Sequence, residues 1–345
     1  MPTISTIHTD FVELVKAHTP IIISASRSTD IPAFYPDWFI NRLKSGYCVW
    51  VNPFNQKRMY VSFQNTKAII FWSKNPKPLF PYLKYLDECG LHYYFQFTLN
   101  DYDRERFEAK VPELKQRIET FQELSENIGK EKVIWRFDPL LLTDKIGVEE
   151  LLQKVENIGN QLQDYTEKLV FSFADIEGYK KVKNNLKRLN INYRDFTQET
   201  MIKFASGLQE LNKKWQLSLA TCAEELDLTD YGVGHNRCID GDLMKRIFAE
   251  DTDFVYYLSF GKFPDKNTLF PVEHHNQEWN SKDKGQREIC GCMVSKDIGA
   301  YNTCPHNCVY CYANTSKENV VKNIKKYSVN QESIIKQGAD RLFPN

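Results

Sequence analysis

The chain has 345 residues, 42% of them apolar and 13% aromatic, which is enough to bury one large α/β core or two smaller ones. Its 45 basic and 45 acidic residues cancel, which removes the electrostatic footprint of a dedicated nucleic-acid binder while leaving room for a local basic patch. No run of 18 apolar residues occurs, and the opening MPTISTIHTDFVELVKAHTP does not read as a signal peptide, so no membrane partner and a cytoplasmic location are expected.

In chain order the first strand pattern is 21–26 (IIISAS), which runs into Arg27-Ser28-Thr29-Asp30, and 36–44 then has helical spacing. A second strand pattern at 47–51 (YCVWV) ends at Asn52-Pro53, and a third at 68–72 (AIIFW) ends at Ser73-Lys74-Asn75-Pro76. A helical segment at 78–89 leads to a strand at 92–99 (HYYFQFTL), and a helix over 104–128 to a strand at 133–137 (VIWRF) ending in Asp138-Pro139. Helical spacing at 148–162 precedes a strand at 168–174 (KLVFSFA). Helices at 179–189 and 198–213 then lead to the strand 216–220 (QLSLA), before Thr221-Cys222-Ala223-Glu224. An eighth strand is weakly indicated at 254–260 (FVYYLSF), and helical spacing returns at 319–326 and 331–342.

Strands alternating with helices predict parallel βα units, and strands that are apolar throughout predict a sheet covered on both faces. The expected fold is a partly open or closed parallel (βα) TIM-like barrel over residues 1–262. An open doubly wound sheet is the alternative. Residues 263–345 are expected to form a cysteine-rich segment and a helical tail packed on the barrel.

Active sites of such barrels lie at the C-terminal strand ends. Arg27, Asp30, Asn75, Arg136, Asp138 and Glu224 stand there and are the candidates for catalysis or for holding a cofactor. Arg136 is distinctive because it sits inside an apolar strand, where an arginine must be paired or aimed into a lined cavity. Asp138 lies two residues on, on the same side of the strand. The pair is either a buried structural ion pair or a binder of a substrate carboxylate or phosphate.

Nine cysteines in a reducing compartment are better metal or redox ligands than disulfide partners when they cluster. Cys304, Cys308 and Cys311 have the spacing C-x3-C-x2-C, which can hold three irons of a 4Fe–4S cube and leave the fourth open to chelate S-adenosylmethionine. Cys290 and Cys292 form C-x-C just upstream, Cys222 lies at the end of the 216–220 strand, and Cys238 follows it in GHNRCID (234–240). These four are expected to converge as a second metal site, a further 4Fe–4S cluster or zinc. Cys48 and Cys89 read as packed apolar residues.

The loop resembles the radical S-adenosylmethionine superfamily motif C-x3-C-x-aromatic-C, with Tyr310 in the aromatic place. In that superfamily the cysteine loop usually follows the first barrel strand, whereas here it comes some 280 residues after it. The whole chain also resembles the domain-of-unknown-function family 1848. That resemblance rests on SRSTDIPAFY (26–35), NPFN (52–55), FWSKNP (71–76), FQFTLN (95–100), WRFDP (135–139), CAEELDL (222–228), RCID (237–240) and residues 290–314. It implies a C-terminal cysteine cluster similar to the radical one and names no substrate.

The expected function is that of an iron–sulfur, radical S-adenosylmethionine enzyme. Its substrate, small-molecule or macromolecular, is unassigned, and its electron donor is of the flavodoxin or ferredoxin kind. Two other readings stand beside it: a zinc-stabilised non-catalytic binding protein, with His306, His235 or His274-His275 as further ligands, and a barrel hydrolase or lyase with a structural metal. A nucleic-acid substrate is a lesser alternative, since a lyase that repairs DNA photodamage shares the Cys-x-Tyr-Cys-Tyr run of 308–312. No GxGxxG or GxxxxGK[ST] stretch supports nicotinamide or nucleoside triphosphate.

Overall fold

The computed structural model describes residues 4–222, 224–265, 279 and 281–335. It begins with β1 (Ile4–His8), β2 (Leu14–His18) and β3 (Ile22–Ala25), then α1 (Ile31–Phe34), α2 (Pro36–Ser45), β4 (Tyr47–Val51), β5 (Arg58–Ser62) and β6 (Ala68–Ser73). There follow α3 (Leu83–Glu88), β7 (His92–Thr98), α4 (Leu114–Ile128), β8 (Val133–Leu140), β9 (Leu142–Thr143), α5 (Val148–Leu162) and β10 (Lys168–Phe173). The chain continues through α6 (Lys180–Arg188), β11 (Tyr193–Arg194), α7 (Gln198–Trp215), β12 (Ser218–Thr221), β13 (Val233–His235), α8 (Gly241–Ile247) and α9 (Thr252–Phe260). The last elements are β14 (Lys296–Asp297) and α10 (Lys317–Ile324).

Eight strands form one sheet in the order β13-β12-β10-β8-β7-β6-β3-β14, and every pairing in it is parallel. Alternate residues of each strand serve opposite faces. Phe71, Phe95, Trp135 and Phe171 pack against helical residues such as Phe39, Phe121, Leu151 and Phe204. Ile70, Tyr94, Ile134 and Val170 pack instead against Ile239, Met244, Phe254 and Met293. Both faces are therefore covered, which is why these strands read as unbroken apolar runs.

The sheet is not closed, so the closed-barrel expectation is not met. Its outermost strands, β13 and β14, are three and two residues long and do not pair with each other. Residues 263–345, expected as an appended segment, contribute β14 to the sheet.

Several elements differ from the sequence reading for local reasons. Tyr47–Val51 is a strand but belongs to a separate sheet, β1-β2-β5-β4, because it turns back through residues 52–57 and pairs antiparallel with β5. Asn52 closes that turn by accepting from the Phe54 amide at 2.9 Å. Residues 254–260 are helix α9, not an eighth strand: the Asp251 carboxylate caps Phe254 N–H at 2.9 Å and Gly261 ends the helix in the left-handed region. The helix expected over 104–128 begins only at Leu114, after Pro112, which disfavours helical backbone in the residue before it. Pro81 lacks a backbone donor, and the segment 78–89 splits into a 3₁₀ turn at Lys77–Tyr82 followed by α3. Cys48 is buried as expected, but Cys89 is exposed. Residues 331–335 are not helical, and the rest of the expected 331–342 helix lies outside the described residues.

Helix α5 has Val148, Leu151, Val155, Ile158 and Leu162 on its buried face, at the three- and four-residue spacing of a helix stripe. Gly159 lets it approach α7, since a methyl group there would fall 2.4 Å from the Trp215 ring. We predict that Gly159→Ala lowers stability by about 1–3 kcal/mol despite alanine's better helix propensity, because the rigid ring must move. A shift of the urea midpoint with unchanged slope checks this.

Lys296 in β14 lies over the Trp50 ring, 3.3 Å from its centroid. Burial depresses its pKa to about 8, with Asp297 opposing that shift. An unfolded lysine titrates near about 10.4, so between the two values the unfolded chain binds more protons and stability rises with pH. The Lys296→Met protein is expected to be more stable at pH 7 and to lose the gain seen between about pH 8 and 10. Denaturant titrations across that range distinguish the two proteins.

Candidate metal centre

The topology brings the cysteine loop to the sheet. β14 lies beside β3 in register Lys296↔Ile23 and Asp297↔Ser24, and residues 304–311 follow it directly. Asp297 fastens the C-terminal ends of the two strands by accepting from Arg27 N at 2.8 Å and Gly299 N at 2.8 Å. Gly299 is required there: a methyl group would sit 1.8 Å from Ser26 Oγ.

The loop is then held on both sides. His306 Nε2 meets Asp30 Oδ2 at 2.8 Å, and its Nδ1 meets the Lys110 carbonyl at 3.2 Å. Both ring nitrogens are thus engaged, which leaves none for a metal. Asp30 also accepts from Ser73 Oγ at 2.7 Å, Lys74 N at 2.7 Å and Ala33 N at 3.0 Å. It therefore ties β3, β6 and the cysteine loop together. On the other side Cys308 forms an antiparallel bridge with Glu108, and Val309 N donates to the Phe107 carbonyl at 2.9 Å.

Tyr310 points into a buried polar network. Its hydroxyl donates to Glu108 Oε1 and accepts from Lys74 Nζ at 3.1 Å and Asn100 Nδ2 at 3.0 Å. Lys74 and Arg117 pair with Glu108 at 2.7 and 3.3 Å. Burial opposes the Glu108 charge, but the two cations outweigh it and hold its carboxyl below the usual range. Burial pushes the Cys304 thiol up to about 12 and raises Cys308 and Cys311 as well. Lys74 opposes the shift at Cys308. A metal bound here must displace those protons.

A second group of thiols lies beyond β12 and β13. Cys222 and Cys238 are 3.6 Å apart, sulfur to sulfur, and Cys238 N donates to Cys292 Sγ at 3.1 Å. Arg136 Nη1 donates to Cys238 Sγ at 3.2 Å and to Gln96 Oε1 at 3.1 Å, while its Nη2 pairs with Asp138. Hydrogen bonds from Cys222 and Cys292 lower the Cys238 thiol far below its ordinary value, against burial and with help from Arg136. The Cys290 thiol falls to about 6 through a hydrogen bond from Cys292, whose own proton is held correspondingly more tightly. Cys222 is raised by its bond to Cys238 and by burial. Among the described residues, no set of three or more His, Cys, Asp or Glu side chains is arranged to hold a single ion as it stands.

The expected candidates thus separate. Arg136 and Asp138 form the anticipated buried pair, and it faces a cysteine. The Arg27 guanidinium lies over Trp72 at 5.2 Å with Nη2 lacking a hydrogen-bond partner, and its carbonyl accepts from Tyr312. Glu224 is half-buried, its carboxyl raised by burial. Asn75 turns away to a surface depression with Lys77, Pro78, Pro112 and Gln116. His235 is exposed on β13, and His274 and His275 lie outside the described residues. The sequence reading missed Glu108, Asn100 and Arg117, which sit in or near a segment expected to be an ordinary helix. Lys74, already visible at a strand end, was the one signal toward them.

No helix among the described residues is long and apolar enough to cross a membrane. A search of curated proteins returned no match. Among solved structures, a Bacteroides thetaiotaomicron protein described provisionally as an alpha-L-fucosidase is similar at 11% identity and TM-score 0.26. The match covers 55% of this chain and 74% of that one and carries no argument about function. The family model described as "Domain of unknown function (DUF1848)" matches residues 22–313, and the chain belongs to that family.

Proposed function

We propose that the chain is an iron–sulfur enzyme in which Cys304, Cys308 and Cys311 hold a 4Fe–4S cluster that binds S-adenosylmethionine. The observation that supports this reading is the position of β14. Taken as a first strand, it starts a sheet whose remaining members, β3, β6, β7, β8, β10, β12 and β13, follow in chain order. The cysteine loop then follows the first strand in space, as in the superfamily it resembles, although it comes late in sequence. On this reading the open parallel sheet begins at β14 and its order in the chain is permuted.

Bound there, such a cluster supplies the electron that cleaves the sulfonium C–S bond of S-adenosylmethionine. The chain's own residues would do the rest. Asp30 and His306 orient the loop, and Lys74 places a positive charge beside Cys308 to balance cluster charge. Arg27, with its unpaired Nη2, together with Arg136, Asp138 and Glu224, offers polar groups for cofactor or substrate. A small flavodoxin- or ferredoxin-like donor would supply the electron.

Anaerobic reconstitution followed by iron and sulfide analysis tests the reading. The expected protein is brown, carries about four irons on this loop, and forms 5′-deoxyadenosine when reduced with S-adenosylmethionine. Colourless protein with zinc on Cys304, Cys308 and Cys311 would overturn it.

A further inference from the structure

We infer that Cys222, Cys238, Cys290 and Cys292 form a second, all-thiolate metal centre that does not depend on the C-x3-C-x2-C loop. The four come from three segments: the end of β12, the turn after β13, and a stretch more than fifty residues on, carrying Cys290 and Cys292, that folds back to them. That return is built by backbone. Met293 N donates to the Ile239 carbonyl at 3.0 Å, and Asp283 N donates to the Cys292 carbonyl at 2.8 Å. From the sheet, Tyr94 and Gln96 both donate to the Cys238 carbonyl, at 2.6 and 3.0 Å. Cysteines that serve only as apolar filler need no such scaffold.

The surroundings are those of anionic sulfur. Three N–H donors point at two of the sulfurs: Arg136 and Asn236 Nδ2 at Cys238, at 3.2 and 3.3 Å, and the Cys238 amide at Cys292. Hydrogen bonds to thiolate ligands are the second-shell support that metal sites use. Arg136 is buried with Asp138 as its carboxylate partner, and Arg27 ends nearby in an unpaired Nη2. Two guanidinium groups beside four thiols suit a site that carries net negative charge when loaded. The sulfurs are already neighbours, Cys222 beside Cys238 at 3.6 Å and Cys292 beside the Cys238 amide at 3.1 Å, and a shared metal would draw them onto a common centre.

A sulfur-preferring metal, zinc or the iron of a cluster, fits this donor set. Tetrahedral zinc with bonds of about 2.3 Å is the smallest centre this set could close on, and Cys222 and Cys238 already stand 3.6 Å apart, sulfur to sulfur.

Metal analysis of the whole chain, purified without oxygen, tests the site. The Cys238→Ala/Cys292→Ala protein is expected to lose one zinc per chain that the Cys308→Ala protein retains. Loss of iron and sulfide in place of zinc would assign the same four thiols to a cluster and also support the site. No metal lost from the double variant, or a Cys222–Cys238 disulfide recovered from metal-free anaerobic protein, would overturn it. A measurement on unaltered protein covers the case where the variant does not fold. Alkylation and peptide mapping are expected to find these four thiols protected until a chelator is added, and equal protection with and without chelator would overturn the inference. Failure of the loop to bind iron leaves the test intact, since its readout is metal held by other residues.

Discussion

The Cys308→Ala protein is expected to contain no iron or sulfide on the loop and to form no 5′-deoxyadenosine. Cys308 is the middle cysteine of residues 304–311, a ligand only of the proposed cluster, and its backbone bridge to Glu108 is independent of its side chain, so the loop should keep its place. Two remaining thiolates cannot hold a cube that needs three protein ligands. The Cys89→Ala protein is the control, because Cys89 is exposed and is expected to leave both iron content and cleavage unchanged. Iron and sulfide retained by the Cys308→Ala protein at the parental level would remove the basis for the proposed activity. Cleavage lost with iron intact would instead point to Cys308 acting elsewhere than at a cluster.

Glu108→Ala is expected to be the most destabilising single change in the polar interior, at about 3–5 kcal/mol. The Glu108 side chain is 1% exposed and answers two cations, Lys74 and Arg117, as well as Asn100 and Tyr310. Removing it leaves Lys74 and Arg117 buried with less compensation, and an unpaired buried charge costs far more than a paired one gains. Arg117 keeps Asp103 at 2.6 Å, so most of the loss should appear at Lys74. The Lys74→Met/Glu108→Gln protein, which removes both charges, is therefore expected to recover much of the stability lost by Glu108→Ala. Urea midpoints of the single and double variants measure the coupling directly. Equal losses in all variants would mean that the network contributes packing rather than charge compensation.

The two changes probe different things, and only the first removes a proposed cluster ligand. Glu108→Ala also loosens the support of Tyr310, so a fall in iron retention is expected to accompany the fall in stability. Tyr310→Phe separates the effects. It keeps the ring beside Tyr102, at 6.1 Å between centroids, and removes only the hydroxyl.

Much of the frame was legible because strand burial leaves a direct mark. Six of the seven clear strand patterns fall in the parallel sheet, and α5 spans the residues its apolar spacing indicates, 148–162. The Arg136–Asp138 pair could be read from a charge inside an apolar strand, since burial permits few alternatives. Residues 254–260 misled for a related reason. A helix apolar on nearly every side has no periodic stripe, so aromatic and β-branched content pointed to a strand, and the deciding Asp251 cap lies outside the run.

By itself the chain's order of residues determined that three cysteines lie within eight positions with an aromatic among them, and that βα units precede them. Local spacing and strand burial are written in neighbouring residues, so both could be read directly. Only the tertiary structure decided that β14, two residues long and without an apolar pattern, belongs beside β3. That pairing brings a loop late in the sequence beside β3, near the start of the chain. It likewise decided that Glu108, Lys74 and Tyr310 meet, and that Cys222 and Cys238 touch sulfur to sulfur. Contacts between residues tens to hundreds of positions apart are set by packing and by the burial of charge with its partner, and neither leaves a signature in local sequence.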